Sequence, residues 1–120
     1  MTTRWPTDII EPRQRVLCDN DYGGDPDGLV QLAHHLLCDS VDLRCVIGSF
    51  EAPFHVDSKE SRDAAVVGAR RVVEFIGRDD VPVLAGPSEP LVDRSTPQPS
   101  AASDAIVRKP CATTRRSRSS

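Results

Sequence analysis

The sequence predicts an α/β fold, a parallel sheet with alternating helices, on three observations. Short apolar runs at 15–18, 41–47 and 81–86 alternate with longer stretches of helical periodicity. Strands that alternate with helices pair in parallel through right-handed crossovers. An acidic, glycine-rich turn follows the first run directly, and ligands of such sheets collect at the carboxyl ends of strands. With 120 residues there is room for one domain at most, short for an enzyme that also needs a substrate pocket.

Each element has its own signal. Residues 15–18 form a continuous apolar strand that ends at Asp19. Gly23, Gly24 and Pro26 make a turn, with Asp25 or Asp27 placed to cap the helix that follows. In that helix Leu29, Leu32, Ala33 and Leu36 recur at helical spacing up to Leu37. Residues 41–47 are rich in β-branched side chains and are closed by Gly48, a second strand. After a loop at 49–57, a helix over 58–77 places Ala64, Val67, Val72, Phe75 and Ile76 near one face, with Gly77 as its C-cap. Residues 81–86 are a third strand, whose early Pro82 suits a strand start. A proline-rich connector over 87–99 precedes the beginning of a helix at 100–107. The order β-α-β-α-β-(α) is that of a Rossmann-like sheet, here incomplete.

Composition narrows the function classes. A formal net charge of −3 and a pI near 5.5 suit a cytoplasmic protein and give no support to nucleic-acid binding. No apolar run approaches the roughly 20 residues that cross a bilayer, and residues 1–12 carry no signal-peptide core. The four cysteines include no CxxC pair and no histidine at zinc-finger spacing. Three of them, Cys18, Cys38 and Cys45, lie in apolar patterns and read as buried reduced thiols.

The chemistry concentrates in the first turn. Asp19, Asp21, Asp25 and Asp27 crowd nine positions around Gly23 and Gly24. Like charges held close raise each other's proton affinity, and a bound dication reverses that penalty. Turn formation and helix capping account for one or two of the four. An EF-hand frame begun at Asp19 would place Val30 where a bidentate glutamate is required, so that reading fails. A haloacid-dehalogenase-like phosphatase also opens with a strand and Asp-x-Asp, which would make Asp19 a nucleophile. Here Tyr22, Gly23 and Gly24 stand where those enzymes have a small apolar residue and Thr or Ser chemistry. A non-catalytic metal- or partner-binding remnant is the third alternative. His34 and His35 sit mid-helix without an acidic partner at helical spacing inside the helix and read as packing or surface residues, and His55 as a solvated loop residue. Tyr22 is expected either to line a pocket mouth or to cover the sheet edge.

The segment Asp19-Asn20-Asp21-Tyr22-Gly23-Gly24-Asp25-Pro26-Asp27-Gly28-Leu29 resembles the N-terminal Asp-x-Asp-x-Gly-x-Asp-Asp signature of the inosine/uridine-preferring nucleoside hydrolases. The strand Leu43-Arg44-Cys45-Val46-Ile47-Gly48 and the segment from Val81 to Leu91 are similar to that family in the same order. The resemblance covers about residues 15–108. It implies the N-terminal half of a nucleoside hydrolase-like domain, preceded by an extension at 1–14 and followed by a basic tail at 109–120. It also implies hydrolysis of the N-glycosidic bond of a ribonucleoside by a Ca²⁺-bound water, in purine and pyrimidine salvage. An all-oxygen ligand set suits Ca²⁺, a dication lowers the pKa of bound water, and a carboxylate can take the proton. By the same resemblance Asp21 is the general base and a metal ligand, and Asp19 a supporting metal carboxylate. Gly28 falls where the family has its last calcium aspartate. Asp25 then replaces that ligand and Asp27 faces the ribose, or the two exchange roles. The family's substrate-facing asparagine after the second strand is replaced here by Ser49, Phe50 and Glu51.

Family members run to about twice this length, so the chain is expected to be a truncated form, inactive by itself. Full-length relatives leave room for homo-oligomers. The tail offers a reason. Through one choice of synonymous codons, with a single G restored in front, Lys109 to Arg118 reads as Glu-Ala-Met-Arg-Asp-Asp-Thr-Glu-Val-Ala, which continues a helix as the family does. The expectation is a one-base deletion with an out-of-frame tail. An intact frame on sequencing the locus, with no family-like sequence downstream, would remove it.

Overall fold

In the computed structural model, residues 14–51 and 57–108 are described. The elements run β1 (Gln14–Asn20), α1 (Pro26–Leu37), β2 (Val41–Gly48), α2 (Ser58–Ile76), β3 (Val83–Ala85) and α3 (Ala101–Arg108). The three strands form one parallel sheet in the order β1-β2-β3. The α/β class and the alternation of elements are therefore as the sequence predicts.

Boundaries differ where backbone hydrogen bonding overrides side-chain pattern. β1 does not end at Cys18. Asp19 and Asn20 stay in the ladder opposite Ile47 and Gly48, because strand pairing uses the backbone whatever the side chain's polarity. α1 starts at Pro26, ahead of its apolar repeat, since proline at the first helical position has the required φ and no N–H to lose. β3 is shorter than residues 81–86. The Val81 N–H turns back to the Arg78 carbonyl at 3.0 Å, and Pro82 joins the sheet only through its carbonyl, 2.9 Å from the Val46 nitrogen.

The caps of α2 follow the sequence closely. The Asp57 carboxylate accepts from the backbone N–H groups of Lys59 and Glu60 at 3.0 and 3.2 Å. At the other end Gly77 takes φ 78°, a left-handed conformation that glycine adopts without strain, and its N–H returns to the Glu74 carbonyl.

Both long helices cover one face of the sheet. There Cys18, Leu43 and Val46 pack beneath Leu32, Leu36, Ala65, Ala69 and Val73. A bulge makes this possible. Val16 pairs with Leu43 and Leu17 with Cys45, so Arg44 is the extra residue and the alternation of β2 reverses across it. Cys45 and Ile47 thereby turn to the opposite face, where Leu17, Leu84 and Ala102 of α3 meet them. Cys18 and Cys45 are buried as expected, whereas Cys38 is only half-buried at the end of α1.

One expectation about α2 is overturned in part. Its buried residues are Ala65, Val66, Ala69 and Val73, while Val67 is 47% and Phe75 92% exposed. The reason is close approach. A Cβ on Gly68 would lie 2.6 Å from the Tyr22 carbonyl oxygen, and one on Gly48 would lie 2.7 Å from the Val66 nitrogen. The small-residue stripe of α2 fits against the sheet and turn at that separation, so Val67 and Phe75 face outward, while Val72 and Ile76 stay half-buried against the core.

Candidate functional site

The carboxyl ends of the three strands lie level. The Ser49 N–H donates to the Asn20 carbonyl and the Gly86 N–H to the Gly48 carbonyl, each at 3.0 Å. Asp19, opposite Ile47 in the register, shares the face that α3 covers. Its Oδ1 accepts a hydrogen bond from the Ser49 hydroxyl. That hydroxyl also stands 3.3 Å from where a Cβ on Gly86 would be, so a side chain at 86 would crowd it.

Asn20 works on the other side of the strand. Its Oδ1 accepts the Asp21 N–H at 2.8 Å, while its Nδ2 lies 3.1 Å from where a Cβ on Gly28 would sit. This fixes the direction in which the chain leaves β1 and brings the start of α1 against it. A turn closes next, with the Gly24 N–H donating to the Asp21 carbonyl at 2.9 Å. The point that a Gly24 Cβ would occupy is 3.4 Å from Asp21 Oδ2 and 3.5 Å from Glu51 Oε2. Two carboxylates thus border one small space that glycine leaves open. The Glu51 end is anchored through its N–H, which donates to Ser61 Oγ of α2 at 3.0 Å.

Asp25 occupies the N-cap position of α1, yet its side chain makes no capping hydrogen bond. Asp27 accepts the N–H of Gly28 through Oδ1 at 2.9 Å, which places a negative charge on the positive end of the helix dipole. Capping therefore explains Asp27 in part and leaves Asp25 with an exposed carboxylate.

The four sequence-predicted aspartates are consequently neighbours along one edge, with separate immediate partners. Asp19 pairs with Ser49, Asp21 borders Glu51, Asp27 binds its own helix and Asp25 faces solvent. Among the described residues, no three histidine, cysteine, aspartate or glutamate side chains converge as a metal-binding group. In chemistry the donors are all oxygen, which matches a hard cation such as Ca²⁺. In geometry the match is open, with at most two carboxylates around one point.

Ser49 and Glu51 were missed as functional candidates by residue-type reasoning. The usable signal was topological: residues just past β2 must share an edge with residues just past β1 in a parallel pair. His55 lies outside the described residues. His34 is exposed, and His35 bonds Gln31 within α1, so neither joins the site.

Tyr22 answers a further expectation in part. It is 2% exposed and belongs to the core under α1 and α2, where it lines the floor of the groove between those helices rather than covering the sheet edge. Its hydroxyl finds no hydrogen-bond partner among the described residues. Burial pushes the phenol well above its ordinary range, with Cys18 and Asp19 adding to the effect.

No protein-family model matches the chain, and neither a curated protein nor a solved structure does. Among the described residues no helix is long and apolar enough to cross a membrane.

Proposed function

We propose that the carboxyl edge of β1 and β2 is the cation- and ribose-binding part of a nucleoside hydrolase-like site, with hydrolysis of a ribonucleoside's N-glycosidic bond as its chemistry. The observation that carries the reading is the grouping of Asp19, Ser49, Asp21 and Glu51 along one edge of a parallel sheet, with glycine holding open the space beside Asp21. In this reading Asp21 accepts the proton of the attacking water, since its carboxylate has no hydrogen bond among the described residues to compete for its lone pairs. Asp19 is oriented by the Ser49 hydroxyl and, with Asp21 and Asp25, would supply oxygen ligands to Ca²⁺. Asp27 keeps one oxygen on the Gly28 N–H, which leaves the other to accept a ribose hydroxyl. When bound, the cation would lower the pKa of its water and offset the repulsion among the carboxylates.

Calorimetric titration with Ca²⁺ and with Mg²⁺, on the chain and on Asp21→Ala, tests the proposal. Binding that prefers Ca²⁺ and disappears in the variant supports it. Absence of any response overturns it. A preference for Mg²⁺ with release of phosphate from an aryl phosphate does so too, in favour of the phosphatase alternative with Asp19 as nucleophile.

A further inference from the structure

The outward side of the helix layer carries a pattern that the strand-end site does not use. Lys59, Asp63, Val67, Arg71 and Phe75 follow one another at four-residue spacing along α2, and all five are exposed. Residues at this spacing form a continuous ridge on a helix, and two such ridges pack together in the commonest helix-crossing class. Val67 is the midpoint of Ser58–Ile76. Around it the ridge is complementary to itself. Asp63 lies four residues to one side and Arg71 four to the other; Lys59 and Phe75 lie eight residues to either side.

The charges are available for such a match. Arg62 binds Asp63 through Nε and Nη2, both to Oδ1, so Oδ2 is left without a cation among the described residues. Arg71 has no ion-pair partner among them. The ridge also borders a groove of about 840 Å³ between α1 and α2, lined on the α1 side by Val30, Ala33 and Leu37. Val30 is 69%, Leu37 68% and Phe75 92% exposed. Apolar surface of this extent along two helices is unusual on a face that meets only water.

We propose that this face is the interface of a twofold-symmetric dimer of the chain. The α2 helices cross at Val67, Arg71 of each copy meets Asp63 of the other, and Phe75 lies against the opposing Lys59. An isologous contact needs such self-complementarity, because every pairing occurs twice. Helices of 19 and 12 residues, about 28 and 18 Å long, offer a face of roughly 450 Å² in outline. That suits a reversible dimer, smaller than an obligate one.

Sedimentation equilibrium of the full chain, at up to about 200 µM, reads the association. The wild type is expected to dimerise. Arg71→Asp and Asp63→Arg should each weaken the dimer by on the order of tenfold, and the double variant Asp63→Arg/Arg71→Asp should recover most of that loss. Val67→Asp should be monomeric with unchanged helical circular dichroism. A monomeric wild type overturns the proposal. A dimer indifferent to Val67→Asp, or a double variant no better than the sum of its singles, does the same.

Discussion

On one face of the sheet α1 and α2 seal Cys18, Leu43 and Val46 beneath Leu32, Leu36, Ala69 and Val73, whereas on the other, among the described residues, α3 is the helix that reaches Cys45 and Ile47, through Ala102. The difference follows from strand order. Because β1, β2 and β3 are added side by side in one direction, both connecting helices fall on the same side. The second face waits for a helix that arrives only after the proline-rich stretch. Depth of burial is thus a consequence of topology more than of composition, since the two faces draw on similar apolar residues. Asp19 lies on the thinly covered side, where its carboxylate keeps access to solvent.

The largest test of this contrast is a matched pair of truncations. Leu32 is fully buried on the helix-covered face, and Leu84 half-buried on the other. Leu32→Ala should cost about 3–4 kcal/mol in urea unfolding, combining lost transfer energy with a cavity the two helices cannot close. Leu84→Ala should cost about 1 kcal/mol, because part of its surface already meets water. Equal losses would mean that the second face is sealed as deeply as the first.

Packing tightness gives the next contrast. An alanine Cβ at 68 would stand 2.6 Å from the backbone oxygen of Tyr22, whereas one at 86 would stand 3.2 Å from the oxygen of Gly48. Gly68→Ala must push α2 off the turn and should cost about 2–3 kcal/mol. Gly86→Ala needs a shift of only a few tenths of an ångström and should cost less. Comparable thermal midpoints for the two variants would remove the claim that close approach chose the buried stripe of α2.

A third test uses an unpartnered polar atom of the deeper core. Tyr22→Phe removes a hydroxyl that has no partner among the described residues, so the change should be neutral or stabilise by up to about 1 kcal/mol near pH 7. The alkaline limb is sharper. Burial raises the folded-state pKa of Tyr22 above the unfolded value near 10. Above pH 10 the unfolded chain therefore binds fewer protons than the folded one, and stability falls as pH rises. The full contribution is present below pH 10. The slope is about 1.4 kcal/mol per unit until the folded pKa is reached. Unfolding curves at pH 9 to 11.5 should diverge between wild type and Tyr22→Phe; parallel curves would mean the phenol is hydrated.

These contrasts also mark how far the sequence could be read. The alternation of elements, the Gly77 cap and the strand-end position of Asp19 and Asp21 were legible, because each depends on local chemistry. The buried stripe of α2 was not. Ala65, Val66, Ala69 and Val73 compete with Ala64, Val67 and Phe75 for the same periodicity, and hydrophobicity favours the wrong one. The choice depends on how closely Gly48 and Tyr22 approach, a distance that no window of sequence contains. The bulge at Arg44 was hidden for the same reason, since register is a property of two strands. In the candidate site the aspartates announced themselves by crowding. Ser49 and Glu51 did not, because their relevance comes from β2 ending beside β1.

The smallest expected effect concerns how the deeper face is closed at the far end from the aspartates. Arg78, just past α2, donates through Nη1 to the Leu36 carbonyl at 2.9 Å, while its Nε binds Asp80 at the same distance. A cation at a helix C-terminus satisfies an orphan carbonyl and opposes the helix dipole, so Arg78 ties α1 to the turn before β3. The guanidinium beside Asp80 holds that carboxyl below its ordinary range, so the Asp80 contribution is present above the ordinary carboxylate pKa and is lost as pH falls through the lowered one. Both groups are open to solvent, so screening limits what the pair can add. Arg78→Ala should cost about 0.5–1 kcal/mol, chiefly through the Leu36 carbonyl, and Asp80→Asn less. Hydrogen exchange at the amides of the last turn of α1 is the sensitive readout. Faster exchange there with β2 unchanged would show that this end of the covered face is fastened by one side chain, and uniform exchange would show that packing under Leu36 already holds it.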